Sequence, residues 1–143
     1  MQFSILIPTL NNLDYLKLCL NSLKKNSVYD HEILVHSNNS SDGTSDFLKL
    51  HNIKEIKTKD NFGLCTALNQ LASHASNDYF LFLHDDMYIC PNWDQILIDE
   101  INQYDHNNFY LSGVMIEKTN GHINYNFGEN FENFNEKSFL SLF

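Results

Sequence analysis

Asp78-Tyr79-Phe80-Leu81-Phe82-Leu83-His84-Asp85-Asp86 is the stretch whose reading decides the fold. Its apolar run, 79–83, does not alternate, as a strand with one solvated face would. It is therefore expected to be a strand at the centre of a parallel sheet, covered on both faces. It ends abruptly in two adjacent acids. Immediately upstream, Gly63 opens a helix whose Leu64, Ala67, Leu68, Leu71, Ala72 and Ala75 form one apolar stripe at helical spacing.

The same strand-then-helix pattern extends in both directions. Phe3 to Ile7 reads as a first buried strand closed by Pro8, followed by a helix capped by Asn11 or Asn12 with Leu13, Leu16, Leu20 and Leu23 inward. A second strand over 31–36 runs into Ser37-Asn38-Asn39-Ser40-Ser41-Asp42-Gly43-Thr44, which is turn and helix-cap chemistry throughout. A short helix over 45–51 and a weak strand over 53–57 follow. Downstream, Pro91 suits a helix start, with Trp93, Ile96, Leu97 and Ile101 as the apolar face. Residues 109–116 and 123–127 read as two further strands joined at Asn120-Gly121, and the tail from Gly128 is polar and aromatic without a clear period. The expected fold class is α/β: a mostly parallel sheet flanked by helices, open at the C-terminal ends of its strands. The expected division is a ligand-binding α/β domain over 1–127 and a tail over 128–143.

Composition narrows the function. The chain has 143 residues, nine basic against eighteen acidic side chains and a net charge of -9. That balance argues against nucleic acid as a partner, since phosphate contacts need clustered Lys or Arg. No apolar run is long enough for a transmembrane segment, and the first residues lack the basic start of a signal peptide, so a cytoplasmic location is expected. There is no arginine. Any bound phosphate must then be held by backbone N–H groups, lysine or a metal. Cys19, Cys65 and Cys90 show no CxxC spacing and read as buried free thiols.

In open parallel sheets ligands bind beyond the carboxyl ends of the strands, where strand order reverses. Three strand ends carry polar clusters: Pro8-Thr9-Leu10-Asn11, Ser37 to Asp42, and His84-Asp85-Asp86; the loop Asp60-Asn61-Phe62-Gly63 lines the same rim. Adjacent aspartates leaving a buried strand repel each other and lose solvation unless a cation neutralises them. A hard divalent metal with open positions for diphosphate oxygens is the natural partner; the alternative is a solvated turn. A Ser–His–Asp triad lacks any nucleophile-elbow motif.

Taken in order, Ser4-Ile5-Leu6-Ile7-Pro8-Thr9-Leu10-Asn11, Glu32-Ile33-Leu34-Val35 leading into Ser40-Ser41-Asp42-Gly43-Thr44, Asn61-Phe62-Gly63 with Ala67 and Asn69, and Asp78-Tyr79 through Asp85-Asp86 resemble the nucleotide-binding half of a family 2 glycosyltransferase with the GT-A, Rossmann-like fold. The resemblance covers about residues 3–97 and implies a nucleotide-sugar donor, typically UDP-linked, with Mn²⁺ or Mg²⁺ bridging its diphosphate. It implies that Pro8, Thr9 and Asn11 border the nucleoside and that the loop of Ser37, Asn39 and Asp42 meets the base. Asn61 and Gly63 would lie along the nucleotide. Asp85 would touch ribose or metal, and Asp86 would be the metal ligand of a DXD-like motif.

The implied reaction is inverting transfer of a sugar to the hydroxyl of a glycan or other acceptor. A catalytically incomplete nucleotide-sugar-binding module, needing a partner or a C-terminal acceptor segment, is the alternative; a nucleotidyltransferase, preferring triphosphates, is a third reading. Two departures stand out. The family usually carries aspartate where Ser37 stands, and the general-base candidates Glu117, Glu129, Glu132 and Glu136 lie in no recognisable motif.

Overall fold

The protein is described by a computed structural model over residues 1–143, and it divides into two compact units, Met1–Gln95 and Ile96–Phe143. In the first unit, β1 (Phe3–Thr9) is the spine. Its Ile5, Leu6 and Ile7 are almost wholly buried, and burying each such side chain contributes about 1.5–3 kcal/mol. After it come α1 (Leu13–Asn26), β2 (Glu32–Asn38), α2 (Thr44–Leu50), β3 (Lys54–Thr58), α3 (Gly63–Ser73) and β4 (Tyr79–Phe82). All four strands are parallel, in the order β3-β2-β1-β4, with Ile5 opposite Ile33 on one side and Leu81 on the other. Strand order therefore reverses between β1 and β4, which makes their carboxyl ends the topological switch point.

Two expectations are corrected here. Pro8 does not close β1 but lies inside it, opposite His36. Leu6 turns its carbonyl towards β4 and accepts Leu83 N–H, and residues two apart in a strand face the same neighbour. Pro8 therefore faces β4 just beyond the last β1–β4 pair, Leu6 with Phe82, where no ladder bond is lost by its missing N–H. The second correction concerns β4, which is the edge strand rather than a central one. Phe80 and Phe82 are 53% and 41% exposed, so the unbroken apolar run reflects something other than burial on both faces.

The helices follow their stripes with local departures. One core cluster joins Leu6, Leu34 and Leu71, with Ile56, Leu68, Ala72 and Ala75 packed against it. Leu64, at the start of the α3 stripe, is nevertheless 44% exposed. Of the thiols expected to be buried, only Cys19 is; Cys65 is exposed on α3 and Cys90 half-buried, and all three are free. Helix α4 (Trp93–Ile101) starts two residues after Pro91. It buries Asp94, Ile98 and Ile101 and leaves Ile96 65% exposed, so its inward face is rotated from the expected one.

In the second unit the two long strands expected over 109–127 are absent. β5 (Ile116–Glu117) and β6 (Ile123–Asn124) form only a two-residue parallel pair. Tyr110 and Val114 are 90% and 69% exposed, without a neighbouring strand to take up their backbone groups. The chain does turn at Asn120-Gly121 as expected, with Asn120 at a left-handed φ of 63. Gly121 is needed there for space, because a Cβ would sit 2.8 Å from Glu117 N. The tail is not structureless: a 3₁₀ turn over Phe131–Asn133, capped by Asn130, is followed by α5 (Glu136–Leu140), whose Phe139 is buried. No helix is long and apolar enough to cross a membrane.

Candidate functional site at the carboxyl ends of the strands

Hydrogen bonds between side chains and loops tie the four strand ends into one rim. Asp85, just past β4, takes the Thr9 hydroxyl at 2.6 Å on one oxygen and the Asn12 amide at 3.0 Å on the other. Those two donors come from the end of β1 and the start of α1, so the acid bridges the switch point. Asn12 was expected only as a helix cap. It occupies that position but gives its side chain to Asp85, and the capping is done from a distance by Asp42, whose Oδ2 accepts Leu13 N–H at 2.9 Å. Asp42 also accepts Thr44 N–H and the Thr44 hydroxyl on Oδ1, which fixes the start of α2. Asn11, at a left-handed φ of 50, accepts Ser41 N–H at 2.7 Å on its side-chain oxygen and donates its own N–H to Ser40 Oγ at 3.3 Å.

On the other side of the rim, Asn38 at the end of β2 accepts Phe62 N–H, and Asn61 accepts Gly63 N–H at 2.9 Å. Gly63 has φ +80, a conformation that favours glycine, and nothing lies within 4 Å of where its Cβ would stand. That leaves open space beside the amino end of α3. Asn39, exposed at φ 60, completes the loop. Ser37 is the exception among the named residues. It has no exposed surface, and its hydroxyl is donated to Glu55 on β3, which also accepts Ser45.

The acid pair is electrostatically asymmetric. Burial pushes the Asp85 carboxyl above its ordinary value, Thr9 and Asn12 pull it down, and the Asp86 charge adds to the rise. Asp86 is exposed and accepts no hydrogen bond from the chain. Burial, aided by the charges of Asp85 and Asp86, pushes the nearby Cys19 thiol up to about 12, so it is inert as a nucleophile.

Nowhere do three His, Cys, Asp or Glu side chains gather to enclose a metal. The donor set nevertheless fits Mg²⁺ or Mn²⁺ held in the manner of phosphate-transfer sites. There the ion takes one or two carboxylates and completes its shell with phosphate oxygens and water. Asp86 is the open carboxylate and Asp85 the oriented one. Outside the rim, His84 is exposed and packs on Phe82, with ring centroids 4.8 Å apart. The base candidates Glu117, Glu129, Glu132 and Glu136 all lie in the Ile96–Phe143 unit. Glu129 is paired with Lys118 at 2.6 Å, and that ion pair holds its carboxyl below the ordinary value.

Comparison with known proteins agrees with this architecture. The model of the family described as Glycosyl transferase family 2 matches residues 4–142. An uncharacterised glycosyltransferase of Rickettsia conorii is 32% identical over 114 residues, covering 77% of this chain and 19% of that protein. A chondroitin synthase of Pasteurella multocida is 30% identical over 101 residues, covering 68% of this chain and 10% of that protein. The chain thus spans about a fifth or less of the length of these relatives. Among solved structures, Staphylococcus aureus TarS (1–349) in complex with UDP-GlcNAc superposes with a TM-score of 0.60 at 27% identity, over 71% of this chain and 30% of that one. With the parallel sheet, the switch-point acids and a family match across almost the whole length, the chain belongs to glycosyl transferase family 2.

Proposed function

We propose that this chain binds a nucleoside-diphosphate sugar, UDP-linked by preference, and takes part in inverting transfer of that sugar to a hydroxyl of a glycan or other acceptor. The observation that carries the reading is the pair at the switch point: Asp85 clamped by Thr9 and Asn12 beside an unengaged, exposed Asp86. An acid whose two oxygens are both held is a rigid mount, and its neighbour is left free for a ligand. The UDP-GlcNAc complex of TarS supports the choice of donor class.

In this reading Asp86, assisted by Asp85, would hold Mn²⁺ or Mg²⁺, and such an ion supplies charge neutralisation to the departing diphosphate. The chain has no arginine for that task. Pro8, Thr9 and Asn11 border the nucleoside, and Asn39, Asn61 and Gly63 flank it. Ser37 and Asp42 hold the loop that presents it. An acceptor oxygen attacks the anomeric carbon as the bond to the diphosphate breaks, and the acceptor proton passes to a general base. Glu129 is the poorest candidate for that base, because Lys118 holds it as a weakly basic carboxylate.

Every donor-site residue named above lies within Met1–Gln95, whereas every base candidate lies within Ile96–Phe143. None of the base candidates lies in a recognisable motif, which favours a second reading, a module that binds donor without turning it over. Calorimetric titration with UDP-sugars in Mn²⁺, run beside an assay of UDP release with acceptor, distinguishes the two. Binding that weakens roughly tenfold to a hundredfold in Asp86→Ala is expected. No binding to the unsubstituted chain at ~1 mM donor defeats both readings.

A further inference from the structure

Helix α1 buries two stripes side by side. Leu16, Leu20 and Leu23 form the apolar one, and Cys19, Ser22 and Asn26, at i, i+3 and i+7, form the other. Ser22 and Asn26 are 2% and 7% exposed, although polar side chains in a helix compete with its own hydrogen bonds and are costly to bury unpaired. What they meet is the loop that leaves the acid pair. Ser22 Oγ donates to the Cys19 carbonyl at 2.8 Å and accepts Ile89 N–H at 2.9 Å. Asn26 Nδ2 donates to the Ile89 carbonyl at 2.6 Å and to the Tyr88 hydroxyl at 3.3 Å, while the Asn26 carbonyl accepts Asn92 N–H at 2.9 Å. Nearer the start of the helix, the Cys19 thiol donates to the His84 carbonyl at 3.7 Å, and Asn12 donates to Asp85.

Residues 87–90 belong to no helix or strand, so their backbone groups need partners from elsewhere. The α1 stripe takes both polar groups of Ile89, as a neighbouring strand would. These contacts begin at Asn12 and end at Asn26, a span of roughly 20 Å at the α-helical rise. Asp86 accepts no hydrogen bond from the chain, so its place is set by the backbone on either side of it. Asp85 fixes that backbone on one side, through Thr9 and Asn12, and Ile89 fixes it on the other. We propose that Ser22 and Asn26 are positioning residues of the donor site: by holding the Ile89 peptide groups they keep Asp86 where a divalent ion and the donor diphosphate need it. This deepens the nucleotide-sugar reading above and rests on it.

The test is UDP affinity in Mn²⁺, by calorimetry, for the full chain and for Ser22→Ala, Asn26→Ala and Leu48→Ala. The last opens the core at α2 instead, so it separates general destabilisation from loss of positioning. Ser22→Ala and Asn26→Ala are each expected to weaken UDP roughly threefold to tenfold, and folded Leu48→Ala to bind as the unsubstituted chain does. Coupling between two sites is reciprocal, so Mn²⁺ and UDP should also slow hydrogen exchange at Ile89 N–H in the unsubstituted chain, by roughly threefold more than at the amides of α2. Unchanged affinity in folded Ser22→Ala and Asn26→Ala overturns the inference, and so does an equal loss in Leu48→Ala. Where neither loop variant folds, the exchange experiment decides: an Ile89 N–H that the ligands leave unaffected, or slow no more than α2, overturns it as well. No UDP binding by the unsubstituted chain instead defeats the donor reading, and the positioning role with it.

Discussion

Asp42 sits in an exposed loop and yet serves two helices, accepting Leu13 N–H at the start of α1 and Thr44 at the start of α2. Burial raises its carboxyl, but the Thr44 and Leu13 hydrogen bonds outweigh it and hold the group below its ordinary value. A depressed folded value means that this stabilisation is present above the unfolded pKa and disappears as pH falls through the folded one. Asp42→Ala should therefore cost about 1 kcal/mol near neutrality, as loss of a helix cap does, and less in acid below the ordinary carboxylate range; urea titrations under both conditions check this. Asp85 has the opposite sign. Its raised value means that the folded state favours the protonated acid, and stability from this group is lost as pH rises through the folded pKa. Asp85→Asn keeps an acceptor for Asn12 and removes a charge beside Asp86. It should raise stability at pH 7 by roughly 0.5–1 kcal/mol after solvent screening, while weakening nucleotide binding. Unchanged or lower stability would show that the Thr9 bond outweighs the repulsion.

The elements show which features a sequence encodes by itself. β1, β2 and α3 were legible because their apolar residues face a continuous core, and periodicity records that directly. The position of β4 in the sheet was not legible: an apolar run signals a strand, while edge or centre is decided by which strand pairs with it. The face of α4 was missed for a local reason. Asp94 is wholly buried because it accepts Val28 N–H, Tyr29 N–H and His31 Nε2 between 2.8 and 3.1 Å, which turns the first residues of α4 to meet that turn. His31 accepts Phe3 N–H on Nδ1, so its proton lies on Nε2 and points at Asp94. The site divides in the same way. Asp85, Asp86 and Gly63 could be read from strand and helix ends, but the jobs of Asn12 and Asn38 depend on partners at least twenty residues away in sequence. Asp94→Ala should cost about 2–3 kcal/mol, because it strands buried donors rather than merely deleting a contact. A loss below ~0.5 kcal/mol in chemical denaturation would mean that water replaces the carboxylate.

At the scale of the whole molecule, charge decides how an anionic donor is received. The chain carries -9, its cations are lysines alone, and several of these are already engaged: Lys17 with Asp14, Lys54 with Glu32, Lys118 with Glu129. A nucleoside diphosphate approaching the acid pair without a divalent ion meets net repulsion. Monovalent salt shortens the Debye length from ~30 Å at 0.01 M to ~8 Å at 0.15 M and so relieves that repulsion. UDP affinity measured in EDTA should therefore stay level or rise across this range, the reverse of the usual salt dependence of a phosphate site built on cations. In Mn²⁺ the affinity should be higher throughout and fall gently with salt, because an attractive contact is then being screened. If binding in EDTA weakens steeply with NaCl, lysines hold the diphosphate, and the role given to Asp86 passes to them.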